Sequence, residues 1–92
     1  MNDVAQDSVV ILHAVGLHAR PSVMLTKLAK TLANTIEIAL QAEGPWIDAK
    51  SIVKVMGMKA KQHSTLHIRA SGAEAAKAVA AIKQLVVDDF RG

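Results

Sequence analysis

The chain of 92 residues contains no cysteine, so disulfide bonds and thiolate metal sites are excluded. Aromatic residues are nearly absent, because Trp46 and Phe90 are the only two and there is no tyrosine. No apolar run approaches the roughly 18 residues that a membrane helix needs. The first eight residues lack the basic and apolar regions of a signal peptide. We therefore expect a cytoplasmic protein with an aliphatic core and no membrane insertion.

The charge of the chain is moderately basic, with 11 Lys and Arg against 8 Asp and Glu and a net charge of +3. Such a surplus fits a nucleic-acid partner, an acidic protein partner or solubility alone. Nucleic-acid domains usually add stacking aromatic residues or a dense basic tract, and this sequence has neither. We therefore expect no nucleic-acid binding, and an interaction module of the same fold remains the open alternative.

The length allows one domain, which we predict to span residues 1–92. Hydrophobic residues make up 51% of the chain, which is enough for a folded core. A domain this small has little room for a deep substrate cavity. Function is therefore expected at the surface, in a loop or at a helix end.

Hydrophobic periodicity divides the chain into seven elements. Strand patterns cover residues 8–13, 35–40, 46–48 and 64–70. Helical patterns cover residues 19–34, 51–56 and 74–87, and Ser71 is a possible cap for the last of them. The order β-α-β-β-α-β-α predicts an α+β fold. In it, helices cover one face of a four-stranded, mainly antiparallel sheet, as in an open-faced β-sandwich.

The segment from Gly16 to Ser22 combines a glycine break, a histidine, an arginine and the start of a helix. The first N–H groups of a helix are unpaired and attract anions, helped by the helix dipole. Neutral imidazole is a nucleophile, and a phosphate on His18 would meet these N–H groups and the Arg20 guanidinium. The pattern indicates a phosphoryl acceptor at His18, while an exposed polar residue or weak cap remains the alternative.

A basic stripe runs along one side of the first predicted helix. Its members recur at spacings of three, four and three, clear of the residues predicted to face the core: Arg20, Val23, Lys27 and Lys30. The short helix predicted at residues 51–56 offers apolar contacts at Ile52, Val53 and Met56. A solvated face is the ordinary interpretation of such a stripe. Because this stripe begins at Arg20, two residues after His18, we interpret it as a docking surface for acidic partners.

Three segments resemble the HPr family, the histidine-containing phosphocarriers of the bacterial sugar phosphotransferase system. The segment from Gly16 to Pro21 resembles the family's active-site signature, and the segment from Asp48 to Met56 resembles its regulatory-serine segment. Ala70-Ser71-Gly72 before the alanine-rich last helix is the third match. The resemblance covers nearly the whole chain, from about Val9 to Val87, and it implies an HPr-like sandwich.

The resemblance also implies a function. His18 would take a phosphoryl group on Nδ1 from phosphorylated Enzyme I, whose donor is phosphoenolpyruvate, and pass it to a histidine of an EIIA domain. Arg20 would support the phosphate. The chain would then be a monomeric carrier rather than an independent enzyme, without a cofactor or a metal. The partner contacts implied on the two helices are Leu17, Ala19, Val23, Lys27, Lys30, Ile52, Val53 and Met56.

Ser51 matches the serine that an ATP-dependent kinase phosphorylates in many members of this family. Its role stays open at the sequence level, because a serine at a helix start is also an ordinary N-cap. The alternative function that follows is an HPr-like regulator. Such a protein would act mainly through phosphorylation of Ser51, which a phosphatase would reverse, in carbon or nitrogen control.

Overall fold

The computed structural model describes residues 3–91. The four strands are β1 Val4–Val10, β2 Thr35–Ala39, β3 Ile47–Asp48 and β4 Thr65–Ser71. The three helices are α1 Ala19–Lys30, α2 Ile52–Gly57 and α3 Ala75–Val87. This confirms the predicted order β-α-β-β-α-β-α. None of these helices in residues 3–91 combines the length and the apolar character needed to cross a bilayer.

The strands form a single open sheet in the order β1-β4-β2-β3. Every pairing is antiparallel, so the sheet is antiparallel throughout. The register places Val9 opposite Leu66 and Ile38 opposite Ile68, which aligns the apolar side chains of neighbouring strands on the face covered by the helices. The predicted α+β open-faced sandwich is confirmed.

The core is aliphatic, as the composition predicts. Its largest wholly buried hydrophobic side chains come from strands, helices and one loop: Ile11, Leu25, Ile36, Ile38, Val55, Leu66, Ile68 and Ile82. Burial of one such side chain stabilises the fold by about 1.5–3 kcal/mol. Helix α3 packs across β1 and β4, while α1 packs against α2. This arrangement brings the start of α1 and the whole of α2 to the same side of the molecule.

Two element boundaries differ from the sequence-based prediction. β1 occupies residues 4–10 rather than 8–13, because its polar middle pairs with β4 at the edge of the sheet, where period-two apolar alternation is not required. Helix α1 ends at Lys30 rather than at Asn34. The hydroxyl of Thr31 donates a hydrogen bond to the Leu28 carbonyl at 2.7 Å, which closes the last turn early.

The start of α3 corrects a third prediction. Ser71 does not cap this helix, because it is the last residue of β4. The N-cap is Glu74, which has a φ of 58° and makes no side-chain capping bond. A residue distant in sequence stabilises the turn between β4 and α3. The Asn34 side-chain amide donates hydrogen bonds to the carbonyls of Ser71 and Ala73 at 3.1 and 2.8 Å.

An ion pair at the sheet edge makes the stability of the fold depend on acidity. Lys83 Nζ lies 2.9 Å from Asp7 Oδ2. This hydrogen bond, with a smaller contribution from the Ser8 N–H, lowers the pKa of Asp7 below its ordinary value of 3.8. Because the folded pKa is the lower one, the stabilisation is fully present above the unfolded pKa, which is the ordinary value, and is lost as pH falls through the folded pKa.

We therefore expect Asp7→Asn to lower the melting temperature near neutral pH, and we expect this deficit to shrink as the pH falls through the lowered pKa of Asp7. Thermal unfolding followed by circular dichroism across this pH range measures the difference. Asp88→Asn, which changes charge at an exposed site without breaking an ion pair, is the control. A deficit in Asp7→Asn that is the same at every pH would contradict the prediction.

Candidate functional site

His18 lies exposed at the N-terminus of α1, which begins at the next residue. Its backbone is extended, and its side chain makes no capping hydrogen bond. The first helical bond runs from the Ser22 N–H to the His18 carbonyl at 3.0 Å. The N–H groups of Ala19 and Arg20 come before this bond, and Pro21 has no N–H to donate. Within residues 3–91, the His18 imidazole and the N–H groups of Ala19 and Arg20 make no hydrogen bond, so a free imidazole and two free donors share one helix end.

Backbone and side-chain hydrogen bonds hold the loop that carries His18. The Leu17 N–H donates to the Ala60 carbonyl at 2.9 Å, which joins this loop to the one that follows α2. The buried hydroxyl of Ser22 donates to the Leu17 carbonyl, also at 2.9 Å. Both bonds act on the residue before His18. The imidazole is therefore carried on a fixed backbone at the surface.

Ser22 was missed by the sequence analysis as a residue that positions the site. Its side chain is wholly buried although it is polar, and Thr26 one turn later is also buried, with its hydroxyl donating to the Ser22 carbonyl at 3.0 Å. The available signal was the position of these two hydroxyls beside the apolar residues of α1 that face the core. Buried hydroxyls require hydrogen-bond partners, so such a position indicates a structural bond.

Leu17 requires a correction. It was predicted to contact a partner, but its side chain is only 2% exposed and belongs to the hydrophobic core. The prediction is wrong because the bond from the Leu17 N–H to Ala60 draws this residue inward. The neighbouring residues His18 and Ala19 remain at the surface.

The other predicted contact residues lie together on two packed helices. Along α1, Arg20, Val23, Lys27 and Lys30 are all exposed. On α2, Ile52 is half-buried, whereas Val53 is 79% and Met56 38% exposed. We call this set the α1–α2 surface: Ala19, Arg20, Val23, Lys27, Lys30, Ile52, Val53 and Met56. It combines an apolar area with three cations along α1, the helix that begins directly after His18.

The family model described as the PTS HPr component phosphorylation site matches residues 5–88 of the chain. The chain belongs to the HPr family. It is 40% identical over 86 residues to phosphocarrier protein HPr of Mycoplasma capricolum subsp. capricolum, a match that covers 92% of this chain and 93% of that protein. HPr of Cupriavidus necator is 33% identical over 85 residues, with coverage of 92% and 93%.

The fold agrees with this assignment. A solved histidine-containing phosphocarrier protein of Mycoplasma superposes with a TM-score of 0.81 at 38% identity, covering 96% of this chain and 100% of that one. HPr proteins are phosphocarrier components of the phosphotransferase system. The chain is thus a component of a phosphotransfer relay.

Ser51, the position that resembles the regulatory serine of HPr, is the N-cap of α2. The residue is half-buried, and its hydroxyl accepts an exposed hydrogen bond from the Lys54 N–H at 3.3 Å. The preceding residue, Lys50, donates from Nζ to the Leu32 carbonyl at 2.8 Å, which ties the start of α2 to the end of α1. Ser51 therefore lies at the border of the α1–α2 surface, next to Ile52 and Val53.

A hollow of about 470 Å³ opens beside the start of α1, on the side of Arg20. Its lining joins three distant parts of the HPr chain: His13, Arg20, Pro21, Met24, Asp89, Phe90 and Arg91. The C-terminal residues of this lining were not predicted. Local sequence carries no signal for them, because only the packing of α3 and its end brings residue 89 near residue 20.

Proposed function

We propose that His18 accepts a phosphoryl group on Nδ1 from phosphorylated Enzyme I and transfers it to a histidine of an EIIA domain. The group originates in phosphoenolpyruvate. The observation that carries this proposal is the exposed, uncommitted imidazole at the N-terminus of α1, next to two unpaired N–H groups and Arg20. Membership of the HPr family supplies the reaction class.

The chemistry requires no pocket. Neutral imidazole attacks the phosphorus, an N–P bond to His18 forms, and the N–P bond of the donor breaks. The phosphoryl oxygens on His18 then face the N–H groups of Ala19 and Arg20 and the positive end of the helix dipole. The Arg20 guanidinium adds charge-assisted hydrogen bonds. The product is stabilised, and it stays accessible to the next acceptor.

The α1–α2 surface is the proposed docking site for both partners. Val23, Val53 and Met56 offer an apolar centre, while Lys27 and Lys30 offer a basic margin. Such a surface fits partners with an apolar patch surrounded by acidic side chains. A relay needs complexes that form and separate quickly, so rapid, electrostatically guided association with modest affinity is expected. We propose that a monomeric single-domain carrier, residues 1–92, performs this exchange in the cytoplasm.

A second role for the same surface is regulation through Ser51. A kinase that phosphorylates Ser51 would place about −1.5 to −2 charges at the start of α2. The location of Ser51 at the border of the α1–α2 surface supports this proposal, because the added charge would repel the acidic partners expected there. A phosphatase would restore docking. Signalling through Ser51 in carbon or nitrogen control is the alternative function.

The test is incubation with Enzyme I, phosphoenolpyruvate and Mg²⁺, followed by intact mass measurement. We expect one phosphoryl group, labile in acid and stable in base, that is absent from His18→Ala. The matched control is His13→Ala, which removes a nearby imidazole and should retain the modification. Failure of the wild-type chain to be phosphorylated by its cognate Enzyme I would contradict the carrier proposal. An acid-stable phosphate kept in His18→Ala and lost in Ser51→Ala would support the regulatory route.

A further inference from the structure

A second hollow, of about 700 Å³, opens between the β2–β3 hairpin and helix α2, and we call it the hairpin hollow. Its apolar walls are formed by Leu40, Pro45, Trp46, Ile47 and Met58. From α2 it takes Lys54 and Gly57, so it shares no residue with the α1–α2 surface. A hollow of this size, with mainly apolar walls and a few polar groups, is typical of small-molecule sites.

The Trp46 indole is held in place from two sides. Arg69 lies over one face of its ring, with the guanidinium carbon 4.1 Å from the ring centroid, and Arg69 is itself paired with Glu37 at 2.9 Å. At an edge of the ring, a Cβ built on Gly44 would lie only 2.9 Å from Trp46 Cδ1, so the glycine lets the indole lie against the hairpin. Arg69 does not line the hairpin hollow. The indole therefore offers the hollow its opposite face or a free edge.

The rim of the hairpin hollow carries both hydrogen-bond donors and acceptors. Within residues 3–91, the Trp46 indole N–H and Lys54 Nζ donate no hydrogen bond. The exposed carboxylate of Asp48 accepts the Lys50 N–H through Oδ1 at 2.9 Å, and its Oδ2 accepts no hydrogen bond from these residues. The exposed side-chain amide of Gln41 adds one donor group and one acceptor. Such a mixed set matches hydroxyl groups, which donate and accept at once.

The charges that line the hairpin hollow nearly cancel, in contrast to the basic α1–α2 surface. The Glu37 carboxylate is paired with Arg69, which leaves the ammonium of Lys54 against the carboxylate of Asp48. A strongly charged ligand of either sign therefore gains little net attraction from this lining. The lining instead suits a neutral molecule that has an apolar face and several hydroxyl groups.

We propose that the hairpin hollow is a binding site for a neutral carbohydrate of one or two rings. The C–H face of a sugar ring packs against Trp46 and the aliphatic walls, while its hydroxyls bond to Asp48, Gln41 and Lys54 at the rim. The bond to the Asp48 carboxylate is the strongest of these, because its acceptor is charged. A free nucleoside, whose base also stacks on an indole, is the competing ligand that the test must separate. The site does not depend on phosphorylation of His18.

The chain carries its own reporter, because Trp46 is its only tryptophan and gives a single indole N–H resonance in ¹H–¹⁵N NMR spectra. The full chain is titrated with glucose, galactose, maltose and sucrose, and separately with adenosine. We expect at least one sugar to move the indole resonance and the Gly44 and Gly57 amides in a saturable way, half-complete at roughly 1–10 mM. The Gly16 amide, which lies outside the hairpin hollow, should stay in place.

Two substitutions test the proposed contacts with the sugar that binds. Asp48→Asn keeps an oxygen for the Lys50 N–H but loses the charged acceptor, so we expect the affinity to fall about tenfold. Trp46→Leu keeps an apolar wall without the aromatic ring and should abolish the shift of the Gly57 amide. Glu43→Gln is the matched control, since it removes a charge from the same hairpin outside the hollow and should bind as wild type does. Circular dichroism checks that each variant is folded.

The absence of a response to any of the four sugars at about 50 mM would overturn the proposal. A response to adenosine alone, or an affinity of folded Asp48→Asn equal to that of Glu43→Gln, would overturn it as well. His18→Ala should bind the sugar as wild type does, because His18 does not line the hairpin hollow. Failure of sugar binding and failure of phosphoryl transfer are therefore separate results.

Discussion

Gly16→Ala is expected to lower the free energy of unfolding by about 3–5 kcal/mol, a large part of the 5–15 kcal/mol typical of small proteins. Gly16 has a φ of +64°, which alanine adopts at a cost of roughly 1–2 kcal/mol. A Cβ at this position would lie 2.2 Å from the Ala60 carbonyl oxygen and 2.9 Å from Lys61 Cα. Both are backbone atoms, so the loop must move away.

The same displacement of the loop is expected to shift the backbone that carries His18. The loop can separate only by breaking the bond from the Leu17 N–H to Ala60, and Leu17 comes directly before His18. We therefore expect folded Gly16→Ala to accept phosphate more slowly than wild type. Urea unfolding gives the stability, and the initial rate of phosphorylation by Enzyme I gives the second effect.

Gly57→Ala is the matched control. Apart from its chain neighbours and the backbone of its own helix, no atom of residues 3–91 lies within 4 Å of a Cβ built on Gly57, at the end of α2, so this substitution should be neutral or slightly stabilising. A Gly16→Ala variant as stable as Gly57→Ala would show that the contact with Ala60 does not constrain the loop.

Reversal of charge at Lys27 and Lys30 together is expected to lower the rate constant for phosphorylation by Enzyme I about 10- to 100-fold at low ionic strength. Both lysines are exposed on the α1–α2 surface, one turn apart and on the same side of α1 as Arg20. Glutamates there would repel an acidic partner as it approaches. The effect should fall strongly as salt is raised to about 0.5 M, because exposed charges are then screened within a few ångströms.

This experiment needs a stability control, because both lysines lie in the last turn of α1. Negative charge near a helix C-terminus costs about 0.3–1 kcal/mol per site, so rates must be compared at temperatures where each variant is folded. The control is Lys77→Glu, a single charge reversal on the exposed side of α3 and outside the α1–α2 surface. It is compared with the single variant Lys27→Glu. Equal losses in these two single variants would indicate an effect of net charge rather than of docking.

Much of the fold could be predicted from the sequence, because its strongest signals are local. Alternating apolar residues define β2 and β4, and the apolar spacing of 74–87 defines α3 to within a residue. The helix-end arrangement at His18 was also predictable, since a glycine break and a proline in the first turn act within a few residues. Ser51 was predicted at the start of α2, and the structure confirms it as the N-cap.

The sequence by itself determined the order of the elements, the aliphatic core and the position of His18 at the start of a helix, because each depends on neighbours within one or two turns. Only the tertiary structure decided that Leu17 turns inward to Ala60, that β1 begins at Val4, and that Asp89 reaches the hollow of Arg20. These features depend on partners at least 40 residues away along the chain. Such contacts form only when strands pair and helices pack, and local periodicity carries no record of which distant residue will be the partner.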